Sequence, residues 1–147
     1  EMLDLTAGHF ANWAVIATLH PKESYSDADR AALAALAARH QNLRLAQVPP
    51  QQLLPQCRLV VTQNSAVALT GYFFRKPAVL FGQVDFSHIA ASTWSMPPEA
   101  AFHAALEGTP EFERYLFWFF QRMSINAARP DAETRILAAM RRGGWPV

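Results

Sequence analysis

The chain has 147 residues, 51% of them apolar and 17% charged, a length that fits one domain. A chain of this size buries roughly 68–70% of its unfolded surface, so its core needs neither a metal nor a disulfide staple. Thirteen Lys and Arg against 12 Asp and Glu leave a formal charge of +1. That is no electrostatic footprint for nucleic acid, which needs a clustered basic face, and any bound anion must be held by a few placed groups. The one cysteine, Cys57, is read as a small buried residue of a reducing compartment. No run reaches the ~18 apolar residues of a membrane span, and no secretory signal is expected. The expected location is therefore cytoplasmic, with peripheral contact at a membrane as an option. The chain opens on Glu1 rather than Met, and a partner domain outside it, on the N-terminal side, is expected.

Residues 1–12 have no clear period and are left unassigned. Trp13 to Leu19 is an apolar, partly β-branched run of strand length that His20-Pro21 should stop, because proline cannot donate to a ladder. A helix is expected from Asp27 to about Gln41, capped by Ser26 or Asp27. Leu43–Ala46 reads as a short strand and Gln51–Gln56, after Pro49-Pro50, as a brief helix. Arg58–Thr62 is the clearest strand, followed by Gln63-Asn64-Ser65 and a helix from Ser65 to about Arg75. Pro77–Phe81 is a further strand, closed by Gly82.

Strands and helices alternating this closely predict an α/β fold: a Rossmann-like parallel sheet (residues 13–82) with flanking helices. Residues 84–98 read as a loop. An all-helical C-terminal tail (98–142) follows, with helices at about Pro98–Glu107, Pro110–Asn126 and Asp131–Arg142. Residues 1–147 are taken together as one Rossmann-like domain.

In open α/β sheets, ligands sit beyond the carboxyl ends of the strands. Two clusters fall there: His20-Pro21-Lys22-Glu23 after the first strand, and Gln63-Asn64-Ser65-Ala66 after the third. The second runs into a helix, whose amides and dipole favour an anion by ~0.3–1 kcal/mol. Ser65 or Asn64 adds a hydrogen bond to a charged oxygen, worth ~1.5–3 kcal/mol. A facing imidazolium or Lys22 ammonium would complete a pocket for one phosphate. The plainer alternatives are that Pro21 only ends a strand and that Asn64 or Ser65 is only a helix cap.

Taken in order, Leu19-His20-Pro21-Lys22-Glu23, then Val60 to Leu69 with Gln63-Asn64-Ser65-Ala66 inside it, then Lys76 to Gly82 resemble the capsule-polysaccharide biosynthesis family. Its members include transferases of 3-deoxy-manno-octulosonic acid (Kdo), and they share a His-Pro motif and a serine-pair motif with bacterial sialyltransferases. The resemblance spans about Val15 to Phe86, with a weaker likeness from Tyr115 to Asn126.

It implies the C-terminal, donor-binding half of a GT-B fold, the N-terminal acceptor domain lying outside this chain. The donor would be a CMP-sugar such as CMP-Kdo, bound as substrate with no cofactor, and the acceptor a polysaccharide or glycolipid. By position, the catalytic residue would be His20, contacting the CMP phosphate and stabilising the departing nucleotide. Pro21 would shape its turn, and Ser65 with the neighbouring amides would hold the same phosphate. Lys22, Gln63, Asn64, Ala66, Gly82 and Phe86 complete the expected donor-binding set. Two positions depart from the family: Ala66 where a second hydroxyl is usual, and Thr70-Gly71 where a glutamate is usual.

Such donors suit the chemistry, since transfer from CMP builds negative charge on the phosphate, and one fixed donor is worth ~10²–10³ in rate. The carboxylate that would handle the acceptor hydroxyl has no convincing candidate here, Asp85 being an ordinary turn residue by type. Gln83, Phe86 and His88 follow on the same edge. Phe86 is placed to stack on cytosine and His88 to reach the donor, or else the loop is packed by its own side chains. His9, His40 and His103 have no zinc-ligand spacing, so no metal is expected.

Tyr115 to Phe120 is apolar all round a helix, as in a core segment or a docking face for the partner domain or a membrane. Arg135, Arg141 and Arg142 give a small basic surface, solvated or weakly attracted to anionic lipid. Two further readings stand beside the main one. The first is a CDP-glycerol-type polyol-phosphate transferase; the second is a non-catalytic α/β interaction module, opened by Ala66 and Thr70.

Overall fold

The computed structural model describes residues 1–19 and 23–146. The chain divides into two compact units, 1–110 and 111–147. The first is a mixed α/β unit of short parallel strands and helices. Helix α1 (Met2–His9) leads to strand β1 (Val15–Thr18), helix α2 (Asp27–Arg39) and strand β2 (Leu43–Ala46). A single turn α3 (Pro50–Leu53), strand β3 (Val60–Thr62), helix α4 (Val67–Phe73) and strand β4 (Ala78–Leu80) follow. Strand β5 (Ala91–Ser92) and helix α5 (Pro98–Glu107) complete the unit.

All pairing is parallel, but it is split between two sheets: β1 with β2, and β3–β4–β5 in that order. Val61 lies beside Val79 and faces the α5 side, where Phe102 and Phe10 are buried. The alternation of a strand then sends Val60 and Ala78, and Thr62 and Leu80, to the other face. Ala78, Val79 and Leu80 are all essentially inaccessible, the mark of a strand covered on both sides. Gly71 of α4 lets that covering helix come close: a Cβ there would sit 3.1 Å from Val60 Cγ2.

Two apolar clusters form the core. Phe10, Val79, Ala101, Phe102 and Ala105 make the larger one, with Phe10 edge-on to Phe102 at 5.0 Å and stacked on Trp13 at 5.0 Å. Ala7, Ala17 and Leu43 make the smaller, and Val15 packs against both. Fully burying a side chain such as Phe102 stabilises by ~1.5–3 kcal/mol.

Several elements differ from the sequence expectation, each for a physical reason. Most of the unassigned opening is helical, and the buried residues of that helix, Met2–His9, are Thr6 and Ala7. A helix whose hidden face is small and polar has no apolar period to read. The Thr6 hydroxyl is satisfied on Met2 O at 2.8 Å. Asn42 fastens the end of α1, its side-chain amide donating to Ala7 O, Phe10 O and Trp13 O at 3.0, 2.9 and 3.2 Å.

Helix α2 starts where expected, with Ser26 and Asp29 forming a reciprocal capping box. It ends at Arg39 rather than Gln41, where the His40 backbone turns extended and its ring meets Asp4 Oδ1 at 2.7 Å. The span read as a loop after Gly82 holds β5, which pairs Ala91 with Val79 and Ser92 with Leu80. Helix α5 has the expected bounds, yet it packs on β4 and β5 and belongs to the first unit rather than to a tail.

The second unit holds α6 (Phe112–Trp118), a π-helical stretch (Phe119–Met123) and α7 (Ala132–Arg142). The single helix expected over 110–126 is thus shorter and changes winding at Phe119. Crowded rings mark the change: Tyr115 lies 5.7 Å from Trp118 and 5.9 Å from Phe119, which meets Phe120 edge-on at 5.3 Å. Phe112 and Tyr115 are buried, while Phe117 and Met123 are each 61% exposed. Among the described residues no helix is long and apolar enough to cross a membrane.

Candidate functional site

Because β3, β4 and β5 are parallel, their carboxyl ends share one edge of the sheet. The turn after β3 is tied to the end of β4 by the main chain: Phe81 N–H donates to Thr62 O at 3.0 Å, and Gly82 N–H to Gln63 O at 2.7 Å. A Cβ at Gly82 would stand 2.8 Å from that same Gln63 carbonyl oxygen. Only glycine allows the two turns this approach.

Within the turn, Ser65 N–H donates to the buried Thr62 hydroxyl oxygen at 3.3 Å. Ser65 Oγ in turn accepts from Val67 N–H at 3.3 Å. As an acceptor there, the hydroxyl keeps its own proton to donate. Gln63, Asn64 and Ala66 are exposed and Ser65 is half-buried. Helix α4 begins at Val67, two residues later than expected, with Ala66 as the residue before it. Thr70 does not replace the missing polar groups, because its hydroxyl donates to Ala66 O at 3.1 Å along its own helix.

Of the expected site, His20, Pro21 and Lys22 lie outside the described residues. Gln63, Asn64, Ser65 and Ala66 form one continuous turn, and Gly82 is brought against it. Phe86 is corrected: its ring is only 8% exposed, with the buried Tyr72 hydroxyl donating to its carbonyl at 3.2 Å. A ring sunk in the core offers no face to a nucleobase.

The open ring on this edge is Trp94, 67% exposed. It lines a cleft of about 500 Å³ with Gln83, Val84, Asp85, Ser87 and Ser92, beyond the ends of β4 and β5. Sequence reasoning missed Trp94. The available signal was an indole among Ser92, Thr93 and Ser95, where no helical period gives it a buried face.

Other candidates settle into structural roles. Burial pushes the Cys57 thiol up from its ordinary range, and its S–H donates to Leu54 O at 3.3 Å, so it stays protonated. The hydrogen bond from His40, aided by Arg39 at 3.1 Å, holds the Asp4 carboxyl below its usual value and joins α1 to α2. His9 and His103 meet edge-on at 5.3 Å beside Phe102. Among the described residues no three His, Cys, Asp or Glu side chains converge as metal ligands.

No protein-family model matches the chain, and neither the curated proteins nor the solved structures include a significant match to it.

Proposed function

We propose that this chain is the donor-binding half of a GT-B-type glycosyltransferase of bacterial surface-polysaccharide assembly, taking a CMP-linked sugar such as CMP-Kdo. The observation that carries the reading is the turn beyond β3, where the half-buried Ser65 hydroxyl and the exposed Asn64 amide, which has no partner among the described residues, stand beside Gly82 at the carboxyl edge of a parallel sheet. This is where α/β sheets hold their ligands, and hydroxyl and amide donors there match a phosphoryl oxygen. The parallel α/β unit is compatible with a Rossmann-like half. His20, placed by the ordered motifs after β1, supplies the imidazole that would neutralise charge on the departing CMP. The acceptor, its carboxylate partner and the facing domain belong to the remainder of the enzyme.

Calorimetric titration of the chain with CMP tests the reading. Binding in the micromolar range corresponds to ~8 kcal/mol, and both His20→Ala and Ser65→Ala should weaken it. A folded sample that evolves no binding heat with CMP refutes it. The Thr70 hydroxyl, engaged on Ala66 O, favours a second reading, a non-catalytic interaction module. That reading expects no response to CMP or CDP-glycerol, and loss of a protein partner in Trp118→Ala.

A further inference from the structure

We propose that the cleft beyond β4 and β5 is a saccharide subsite, with the Trp94 indole as the platform for a neutral pyranose ring and Asp85 and Gln83 binding its hydroxyls. This goes beyond the donor reading, since it needs neither His20 nor Ser65.

The platform is prepared. Thr93 N–H and Oγ1 both donate to Leu80 O, at 3.0 and 3.4 Å, fixing the backbone just before the ring. Trp94 N–H donates to Ser92 Oγ at 3.3 Å, and Ser95 Oγ to Ser92 O at 3.0 Å, fixing it on both sides. The backbone is held and the indole stands open, 67% exposed. With the backbone held, only the side-chain torsions of the indole remain to be ordered on binding.

The lining chemistry selects the ligand. A pyranose presents one face of C–H groups, which suits the indole, and a rim of hydroxyls that both donate and accept. Asp85 offers two acceptor oxygens, and it makes no hydrogen bond or ion pair with a described residue. The Gln83 amide donates and accepts. The Ser92 oxygen is already occupied as an acceptor, so its hydroxyl proton is available to donate. At about 500 Å³ the cleft falls within the ~300–1,000 Å³ of small-ligand sites.

Charge then decides between sugars. Among the described residues the lining contains one carboxylate and no Lys or Arg. A carboxylated sugar would face Asp85 with no offsetting cation among the described lining residues, whereas a neutral ring gains charge-assisted hydrogen bonds to it. A lone open indole also suits a ligand that keeps one face in water better than a nucleobase, which favours enclosure between two surfaces. The subsite therefore fits a neutral hexose, as in an acceptor glycan.

The test follows the backbone amide signals of Gln83, Asp85 and Ser92, present in every variant, together with the indole N–H signal of Trp94, identified by its absence in Trp94→Phe, in the full 147-residue chain. Methyl glucoside, methyl galactoside and methyl mannoside are the neutral probes, and methyl glucuronide the charged one. At least one neutral glycoside should bind in the millimolar range. Trp94→Ala should weaken it by roughly tenfold or more, and Ser65→Ala should leave it unchanged. Asp85→Asn should weaken the neutral glycoside and also narrow its advantage over the glucuronide, a change that a purely structural role for Asp85 would not produce. Both positions are exposed, and melting curves verify folding. Absence of binding by all three neutral glycosides overturns the proposal, as does binding that survives Trp94→Ala. A Trp94 shift with CMP but with none of the glycosides makes the cleft a nucleobase site and overturns it too, while leaving the donor reading standing.

Discussion

Asn42 is the side chain whose removal should cost the first unit most for its size. Its amide reaches three carbonyls, those of Ala7, Phe10 and Trp13, so two N–H groups serve three acceptors at the junction of α1 and β1. Each such bond contributes a net ~0.5–1.5 kcal/mol, and acceptors left dry cost more. Asn42→Ala should therefore lose about 2–3 kcal/mol. At ~2–4 °C per kcal/mol for a chain near this length, the melting point should fall by about 5–10 °C.

Asn42→Asp gives a sharper version. Its carboxylate would bring no donor and a negative charge against three carbonyl oxygens, so the fold favours the protonated acid and raises its native pKa above the ordinary ~3.9. A raised native value means stability present below ~3.9 and lost as pH rises through the native pKa. The deficit of Asn42→Asp relative to wild type should then widen between about pH 4 and pH 7 in urea titrations. The deficit of Asn42→Ala, which adds no ionisable group, should not change over the same range. An Asn42→Ala protein melting within a degree or so of wild type refutes the reasoning. So does an Asn42→Asp deficit that is flat with pH.

Outcomes are also expected at four other positions. Gly82→Ala places a carbon 2.8 Å from Gln63 O and should destabilise by ~1–3 kcal/mol. Gly8→Ala, in α1 with nothing within 4 Å, should instead stabilise by up to ~1 kcal/mol, and the opposite signs are readable in one set of melting curves. Ser26→Ala removes the cap of α2 and should cost ~1 kcal/mol in a urea titration. The Asp29 carboxyl, held low by hydrogen bonds from Ser26, should return toward its ordinary value in a carboxyl NMR titration. Asp131 is held at about 2 by hydrogen bonds from Arg129 and Arg135. A lowered native value contributes stability that is full above the ordinary 3.8 and lost as pH falls through about 2. The Ala132–Arg142 carbon shifts should therefore lose helical character over that acid range, and Asp131→Asn should flatten the change.

What was legible in the sequence is what one chain segment decides for itself. The β-branched runs at Val15 and Val60 became strands, and Pro98 and Gly108 bracket a helix at its expected bounds. What was illegible depends on partners distant in sequence. Ala91-Ser92 is a strand only because Val79 and Leu80 pair with it, and α1 hides Thr6 and Ala7 rather than an apolar stripe. The Asn42 amide, to a local reading, is just a polar residue between helix and strand.

The candidate site divides in the same way. Gln63 to Ser65 was visible as a strand running into a helix. Which aromatic of the following segment turns inward, Phe86, and which stays open, Trp94, was fixed only when Tyr72 and β5 closed over the loop. The two-residue delay of α4 has a similar origin: Ser65 spends its oxygen on Val67 N–H and its own N–H on Thr62, leaving Val67 as the first helical position.

No described ladder crosses from β1 to β3; the two sheets meet through Val15, Val61 and the aromatic rings around Phe102. Backbone hydrogen bonds fix register because they are directional, whereas a close-packed apolar contact fixes distance by the shapes that interlock. The spacing between β1 and β3 is consequently set by the volumes of Val15, Val61 and the rings around Phe102, and a truncation there would alter it without touching a strand pairing.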